Sequence, residues 1–358
     1  MIIDSAPRTP PDPAAIGTAV DQVIHDFLDE HQHAAPDLPE LPLFIGMLRD
    51  MLAAGGKRIR PRLCVAGWYA VADLPPPPAV FRAAAALELF HTAALIHDDV
   101  MDNSDTRRGR RTAQRALAAR HRAHPDADAL GTSAAILLGD LALGWSYEIL
   151  QAPDVTPGQL ARLWPVFGLL HTETLVGQYL DVASARNPDA DTGTAWRIIR
   201  YKTAKYTIEH PLRIGAVLAG GTASQLRALS ACAMPLGEAF QLRDDLLSVY
   251  GDPAATGKSR LDDLREGKHT VLYAIARERA TEPQRRRLHR LFGDPRLTDD
   301  QAEQIRDVLT ATGARAAVER LIADRAALAL AAQAAAGLRP TGALWLRDLT
   351  RMATDRTC

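Results

Sequence analysis

The stretch AAAALELFHTAALIHDDVMDNSDTRRG, residues 83–109, decides how the rest of the chain reads. Its first half is apolar on nearly every side at helical spacing, which predicts a helix over 79–101 that is buried on most faces. That helix ends in acids: Asp98, Asp99 and Asp102. Carboxylates are unfavourable at the negative end of a helix dipole, and burying one is costly unless it is paired or bound to a metal. Asp98 and Asp102 are four apart and share a helix face, with Asp99 beside them as a bridging or supporting group. Hard oxygen donors without His or Cys suit Mg²⁺, which keeps waters and is shared with substrate phosphates. Arg107, Arg108, Arg110 and Arg111 follow at once. Either the acids hold a metal and the bases an anion, or both runs are solvated surface.

The same separation of signs recurs in FQLRDDLLSVYGDPAATGKSRLDDLREGKHT, residues 240–270. A predicted helix over 222–250 carries Asp244 and Asp245 near its end. Asp244, Ser248 and Asp252 step by four along one face, and Lys258 and Lys268 follow in glycine-containing loops. Two apolar helices with Asp pairs at one end predict two acidic rims facing each other across the mouth of an apolar cavity. GGKRIRP (55–61) places Lys57, Arg58 and Arg60 after two glycines, which let backbone approach an anion at the start of the next helix. YKTAKYT (201–207) adds Lys202, Thr203 and Lys205 in a helical region, where a buried lysine needs an anion.

Elsewhere, helix-period patterns cover 14–31, 41–53, 61–73, 129–151, 157–184, 268–280, 298–310, 313–336 and 341–353. Proline- and glycine-rich breaks at 74–79, 151–158 and 185–193 read as interhelical loops. The expectation is an all-α protein: a disordered tail over 1–13, then a single helical-bundle domain over 14–358. Hydrophobic residues make up 47% of the 358, enough for a large core. The net charge of −1 and 5% aromatic content argue against nucleic acid as a partner. Cys64, Cys232 and Cys358 lack ligand spacing, which points to a reducing compartment without structural zinc. The N-terminus has no signal-peptide pattern, and the run AAAALELFHTAALI reads as too short to span a bilayer. The expected location is cytoplasmic.

Taken in order, GGKRIRP, ELFH, DDVMDNSDTRRG, GQYLD, YKTAKYT, FQLRDD and GDPAATGK resemble the motifs of the trans-prenyl diphosphate synthases, or polyprenyl synthetases, over roughly 40–350. The last of them looks most like bacterial short-chain members. The resemblance implies the isoprenoid synthase fold, an all-α bundle around a deep apolar cavity, in a homodimer. It implies that Lys57, Arg60, His91 and Arg108 bind the diphosphate of isopentenyl diphosphate. Asp98 and Asp102, with Asp99 nearby, would hold two Mg²⁺ ions on the allylic diphosphate, and Asp244 a third, with Mn²⁺ a possible substitute. Arg107, Lys202, Gln241, Lys258 and Lys268 would contact the allylic diphosphate or its metal shell. Thr203 and Gln241 would lie near the allylic cation. The allylic partners implied are dimethylallyl, geranyl and farnesyl diphosphates. His91 stands seven residues before Asp98, nearly on the same helix face, which favours a site role over a core one.

The sequence departs from the family where Ser248 replaces the last Asp of the second motif. DDLLSVYGD therefore also resembles the metal triad of class I terpene cyclases, although a cyclase has no use for GGKRIRP and the paired arginines of RRG. A non-catalytic subunit of a heteromeric synthase is disfavoured because both acidic motifs are present. Product length is read from the helix before Asp98. One turn back are the small Ala93 and Ala94, and two turns back stands Phe90, the first bulky candidate for a floor. That depth points to geranylgeranyl diphosphate (C20), with farnesyl (C15) and geranylfarnesyl (C25) diphosphates as alternatives.

Overall fold

A computed structural model of the chain describes residues 12–187, 191–252 and 260–354. Helices account for nearly all regular structure. Among the described residues the only strands are the two-residue β1 (Thr106–Arg107) and β2 (Arg110–Arg111), paired antiparallel. The proposed tail lies almost wholly outside the described residues. Asp12 accepts a hydrogen bond from the Ala14 N–H and caps a helix that begins at Pro13.

Packing divides the chain into two compact units. The first gathers the chain through Trp164, with Ile214–Gly221 and Arg339–Gly342. The second holds Pro165–Arg213, Thr222–Leu338 and the chain from Ala343.

The first unit contains α1 (Pro13–Ala34), α2 (Leu41–Ala53), α3 (Ile59–Val71), α4 (Pro78–Met101), α5 (Ala113–Arg120) and α6 (Ala127–Glu148). Helix α4 is its axis, packed by α1, α3 and α6. Ala83–Ala86 and the side chains of Leu87, Leu89, Phe90 and Ile96 are buried, each large one contributing roughly 1.5–3 kcal/mol. Small residues set the spacing. A Cβ on Gly139 of α6 would fall 2.2 Å from His97 Nε2 of α4. The apolar run read as too short for a bilayer thus belongs to a 24-residue helix that is long and apolar enough by composition; 72% of its apolar window is buried inside the protein, as in a core helix. Residues 127–151 pass the same length and hydropathy test with 28% buried.

Mid-way along α4, Glu88 is 4% exposed. Its partner is Arg58, the left-handed residue (φ 45°) that starts α3. The guanidinium donates to Glu88 (2.6 Å), to Asp21 of α1 (2.6 Å) and to the Leu52 carbonyl of α2 (2.9 Å). Arg58, grouped with Lys57 and Arg60 by the sequence as an anion ligand, is instead a tie between helices. The buried Glu88 carboxylate claims it.

The second unit is built on α10 (Ala223–Tyr250), packed by α11 (Ala314–Ala335) and by a π-helical segment, Ile199–Glu209. That segment continues α8 (Thr192–Ile198) and runs into α9 (His210–Leu218), whose Pro211 has no N–H with which to extend the wide turns. Helix α7 (Pro157–Ser184) starts in the first unit and continues into the second. The helix predicted over 222–250 stops where expected, at Tyr250, so Asp252 lies beyond it rather than on the face shared by Asp244 and Ser248.

Candidate active site

In the first unit, the end of α4 separates its acids by exposure. The Asp98 side chain is 18% exposed and the Asp99 side chain 1%; Asp102, the C-cap, is half-buried. Asp99 is the knot of the following loop. Its Oδ1 accepts from Arg107 Nε (2.7 Å), and its backbone carbonyl accepts from Ser104 N–H and from Gln114 Nε2 (both 2.9 Å). Burial raises its pKa to about 6, against the lowering pull of Arg107. Arg107 also donates to Asp98 Oδ2 (3.0 Å). Asp98 and Asp102 thus keep access on one face, while Asp99 and Arg107 are used to hold the turn.

The arginines sit on the β1–β2 hairpin. Its two turn residues, Arg108 (φ 52°) and Gly109 (φ 73°), take the left-handed conformations of a primed two-residue turn. The turn carries Arg108 across the Gly55–Gly56 pair. Its Nη1 donates to the Gly55 carbonyl, and a Cβ on Gly56 would fall 3.2 Å from the guanidinium. The glycines of GGKRIRP therefore make room for a second cation beside Lys57, which is exposed. His91, half-buried on α4, has its pKa driven well below the usual value, first by burial and then by Arg60, Arg108, Arg107 and Arg58. It is a neutral donor in a cationic field, suited to an anion.

In the second unit, three side chains form a chain of hydrogen bonds. Thr203 Oγ1 donates to Gln241 Oε1 (2.7 Å), and Gln241 Nε2 donates to Asp245 Oδ1 (2.7 Å). Asp245 is buried and its pKa rises to about 8, through burial first, with Asp263, Asp244 and Asp181 adding to it. Asp244, one residue earlier, is half-buried. Lys202 pairs with Asp181 of α7 at 2.5 Å, and Lys268 with Glu266 at 2.9 Å. Lys205 lies apart from these, bound to Glu173. The anion that YKTAKYT requires is in both cases a carboxylate of α7. Ser248 is buried and donates to the Asp245 carbonyl (2.9 Å). Lys258 lies outside the described residues. Asp181, in the GQYLD motif, carried no role in the sequence reading, and Asp245 was read only as part of an acidic rim with Asp244.

Among the described residues no three His, Cys, Asp or Glu side chains converge into a self-sufficient metal site. Accessible carboxylates in ones and twos fit Mg²⁺ nonetheless, because that ion fills its octahedron with waters and substrate phosphates.

The family described as Polyprenyl synthetase matches residues 42–309. The chain belongs to the polyprenyl synthetase family. That makes it a prenyltransferase with an all-α fold, as the resemblance implied. The geranylfarnesyl diphosphate synthase of Aeropyrum pernix is 30% identical over 298 residues, 82% of this chain and 85% of that one. The geranylgeranyl diphosphate synthase of Methanosarcina mazei is 30% identical over 273 residues, 76% and 78% of the two chains. Among solved structures, the geranylgeranyl pyrophosphate synthase of Corynebacterium glutamicum, complexed with isoprenyl diphosphate and magnesium, superposes with a TM-score of 0.91 at 36% identity, covering 96% of this chain and 99% of that one.

Proposed function

We propose that the protein condenses isopentenyl diphosphate with dimethylallyl, geranyl and farnesyl diphosphates and releases geranylgeranyl diphosphate. The observation that carries this reading is on α4: His91, whose pKa is driven down by burial and by Arg60 and Arg108, stands two turns before the Asp98 carboxylate and three turns before that of Asp102. One helix thus presents an anion pocket for one diphosphate and a carboxylate pair for the metal shell of another. The similarity to synthases of C20 and C25 diphosphates supports the same substrate class.

In this reading Lys57, Arg60, His91 and Arg108 bind isopentenyl diphosphate. Arg107, Lys202, Gln241, Lys258 and Lys268 surround the allylic diphosphate. Asp98, Asp102 and Asp244 would hold Mg²⁺, three ions in all, with Mn²⁺ a substitute; bound ions take up charge that develops on the leaving diphosphate. The allylic C–O bond breaks and its electron pair leaves with diphosphate. Thr203 Oγ and the Gln241 amide oxygen face the resulting cation and stabilise it. The double bond of isopentenyl diphosphate attacks, and the departed diphosphate takes the proton. Apolar walls keep water from the cation.

Ser248 bears on the cyclase alternative. Because its buried hydroxyl is turned to the Asp245 carbonyl rather than outward, Ser248→Ala is expected to retain turnover within about threefold, its cost falling on stability at about 1 kcal/mol. Complete loss, measured by product formation, would favour the cyclase-type triad.

Product length follows from α4. Ala94 is half-buried on the side of Asp98, whereas Ala93 is 2% exposed and lies in the core; Phe90, one turn below Ala94, is also 2% exposed. Of the alanine pair, Ala94 is the one beside the growing chain. Phe90→Ala is expected to shift products above C20, and Ala94→Phe to shift them to C15. Mass analysis of dephosphorylated products reads both; unchanged distributions would remove α4 as the ruler.

The homodimer belongs to the same proposal. Leu175, Val176, Tyr179 and Val182 form an exposed apolar stripe along α7, 48–69% accessible, of the kind that marks an interface. Light scattering tests it.

A further inference from the structure

Lys202 and Thr203 lie on a π-helical segment, and π-turns need a cause because the α-helix is the better-bonded alternative. The cause is visible on two neighbouring helices. On α7, Glu173, Gly177 and Asp181 step by four along one face. On α10, Gly237, Gln241 and Asp245 do the same. The two glycines receive the backbone of the segment: a Cβ on Gly177 would fall 2.4 Å from Lys202 N, and one on Gly237 2.5 Å from Ala204 Cα. Asp181 and Gln241 take the side chains of Lys202 and Thr203.

Glu173 does something else. Its Oε1 accepts from Lys205 Nζ at 2.8 Å and its Oε2 lies 2.6 Å from Nε2 of His210, which is fully buried. Those partners are five residues apart. At 3.6 residues per turn, residues five apart point about 140° away from each other around an α-helix. A helix bonded i→i+5 brings them onto one side, and the His210 N–H does bond to the Lys205 carbonyl. Burial pushes the Glu173 carboxyl up, but hydrogen bonds from Lys205 and His210 outweigh it and hold it below the usual range. Glu209 (3.6 Å from Lys205) and Arg213 (3.7 Å from Glu209) complete the cluster.

We propose that Glu173 is a positioning residue: by bridging Lys205 and His210 it selects the π-turn that aims Lys202 and Thr203. In an α-helical register the side chains after position 199 would rotate away from Asp181 and Gln241. This inference rests on the proposed roles of Lys202 and Thr203 toward the allylic substrate. It does not involve Lys57, Arg60, His91 or Arg108, which serve isopentenyl diphosphate in that reading.

The test is steady-state kinetics on full-length Glu173→Gln and Lys205→Met, with thermal unfolding of each as a control on folding. Misplacing reacting groups by about 1 Å costs on the order of 10²-fold, so Glu173→Gln is expected to lower kcat at least ~10-fold and raise KM for the allylic diphosphate, with KM for isopentenyl diphosphate within about twofold. Lys205→Met, which removes one arm of the bridge and fills the same volume, moves the same parameters in the same direction. A folded Lys205→Met or Glu173→Gln protein with wild-type kcat and allylic KM overturns the proposal, as does an equal rise in both KM values. An inactive wild-type protein would overturn the functional reading instead.

Discussion

Asp98→Ala, Asp102→Ala and Asp244→Ala are each expected to lower turnover by two to four orders of magnitude without unfolding the protein. Asp98 shares Arg107 with the buried Asp99, which keeps that arginine in either case, and Asp102 caps α4 through its backbone N–H, which alanine retains. In the proposed reading, the substitutions remove a metal ligand on a leaving group that gains charge in the transition state. Losing such stabilisation is worth several kcal/mol, and each 1.36 kcal/mol is about tenfold in rate. Turnover numbers with saturating substrates and Mg²⁺, alongside thermal unfolding, check this. Near-normal turnover in Asp98→Ala would remove the carboxylate pair from the chemistry.

Arg58→Ala should show the opposite pattern: a large loss of stability from a residue embedded in the GGKRIRP motif. Its guanidinium pairs with buried Glu88 and joins α1, α2 and α4 from the start of α3. Asp21 is 39% exposed and its contribution is screened. Glu88 is 5% exposed at the side chain, and stripping a buried charge of its partner costs about 3–5 kcal/mol. Lys57→Ala, one residue earlier and exposed, is expected to leave stability unchanged and to raise KM for isopentenyl diphosphate. Denaturant midpoints of the two variants separate the roles. An Arg58→Ala protein as stable as wild type would return Arg58 to the anion site.

These two motifs also show what could be read from the chain alone. Buried helices announce themselves by apolar spacing, so α4 and α10 were legible to within a residue or two. The acids at their ends were legible as well, because a carboxylate on a buried helix needs a reason. Pairing between distant residues was not. GGKRIRP offers three cations, and nothing local says that Arg58 turns inward to a glutamate 30 positions away. YKTAKYT offers two lysines, and their carboxylates sit on α7, 21 and 32 positions earlier. The π-segment was not legible because its determinants are glycines and a glutamate on other helices. Helix α5 and the hairpin escaped for a related reason. Both are short, and they are held by Asp99 and Gln114 rather than by their own pattern.

In the proposed function this chain elongates an allylic diphosphate with isopentenyl diphosphate. The most direct measurement incubates the full-length protein with isopentenyl diphosphate, Mg²⁺ and each of dimethylallyl, geranyl and farnesyl diphosphate in turn, then identifies the dephosphorylated products by mass. A linear C20 alcohol is expected from all three, abolished by chelating the metal. Cyclised hydrocarbon from an allylic diphosphate alone, or no consumption of isopentenyl diphosphate with any partner, would contradict it.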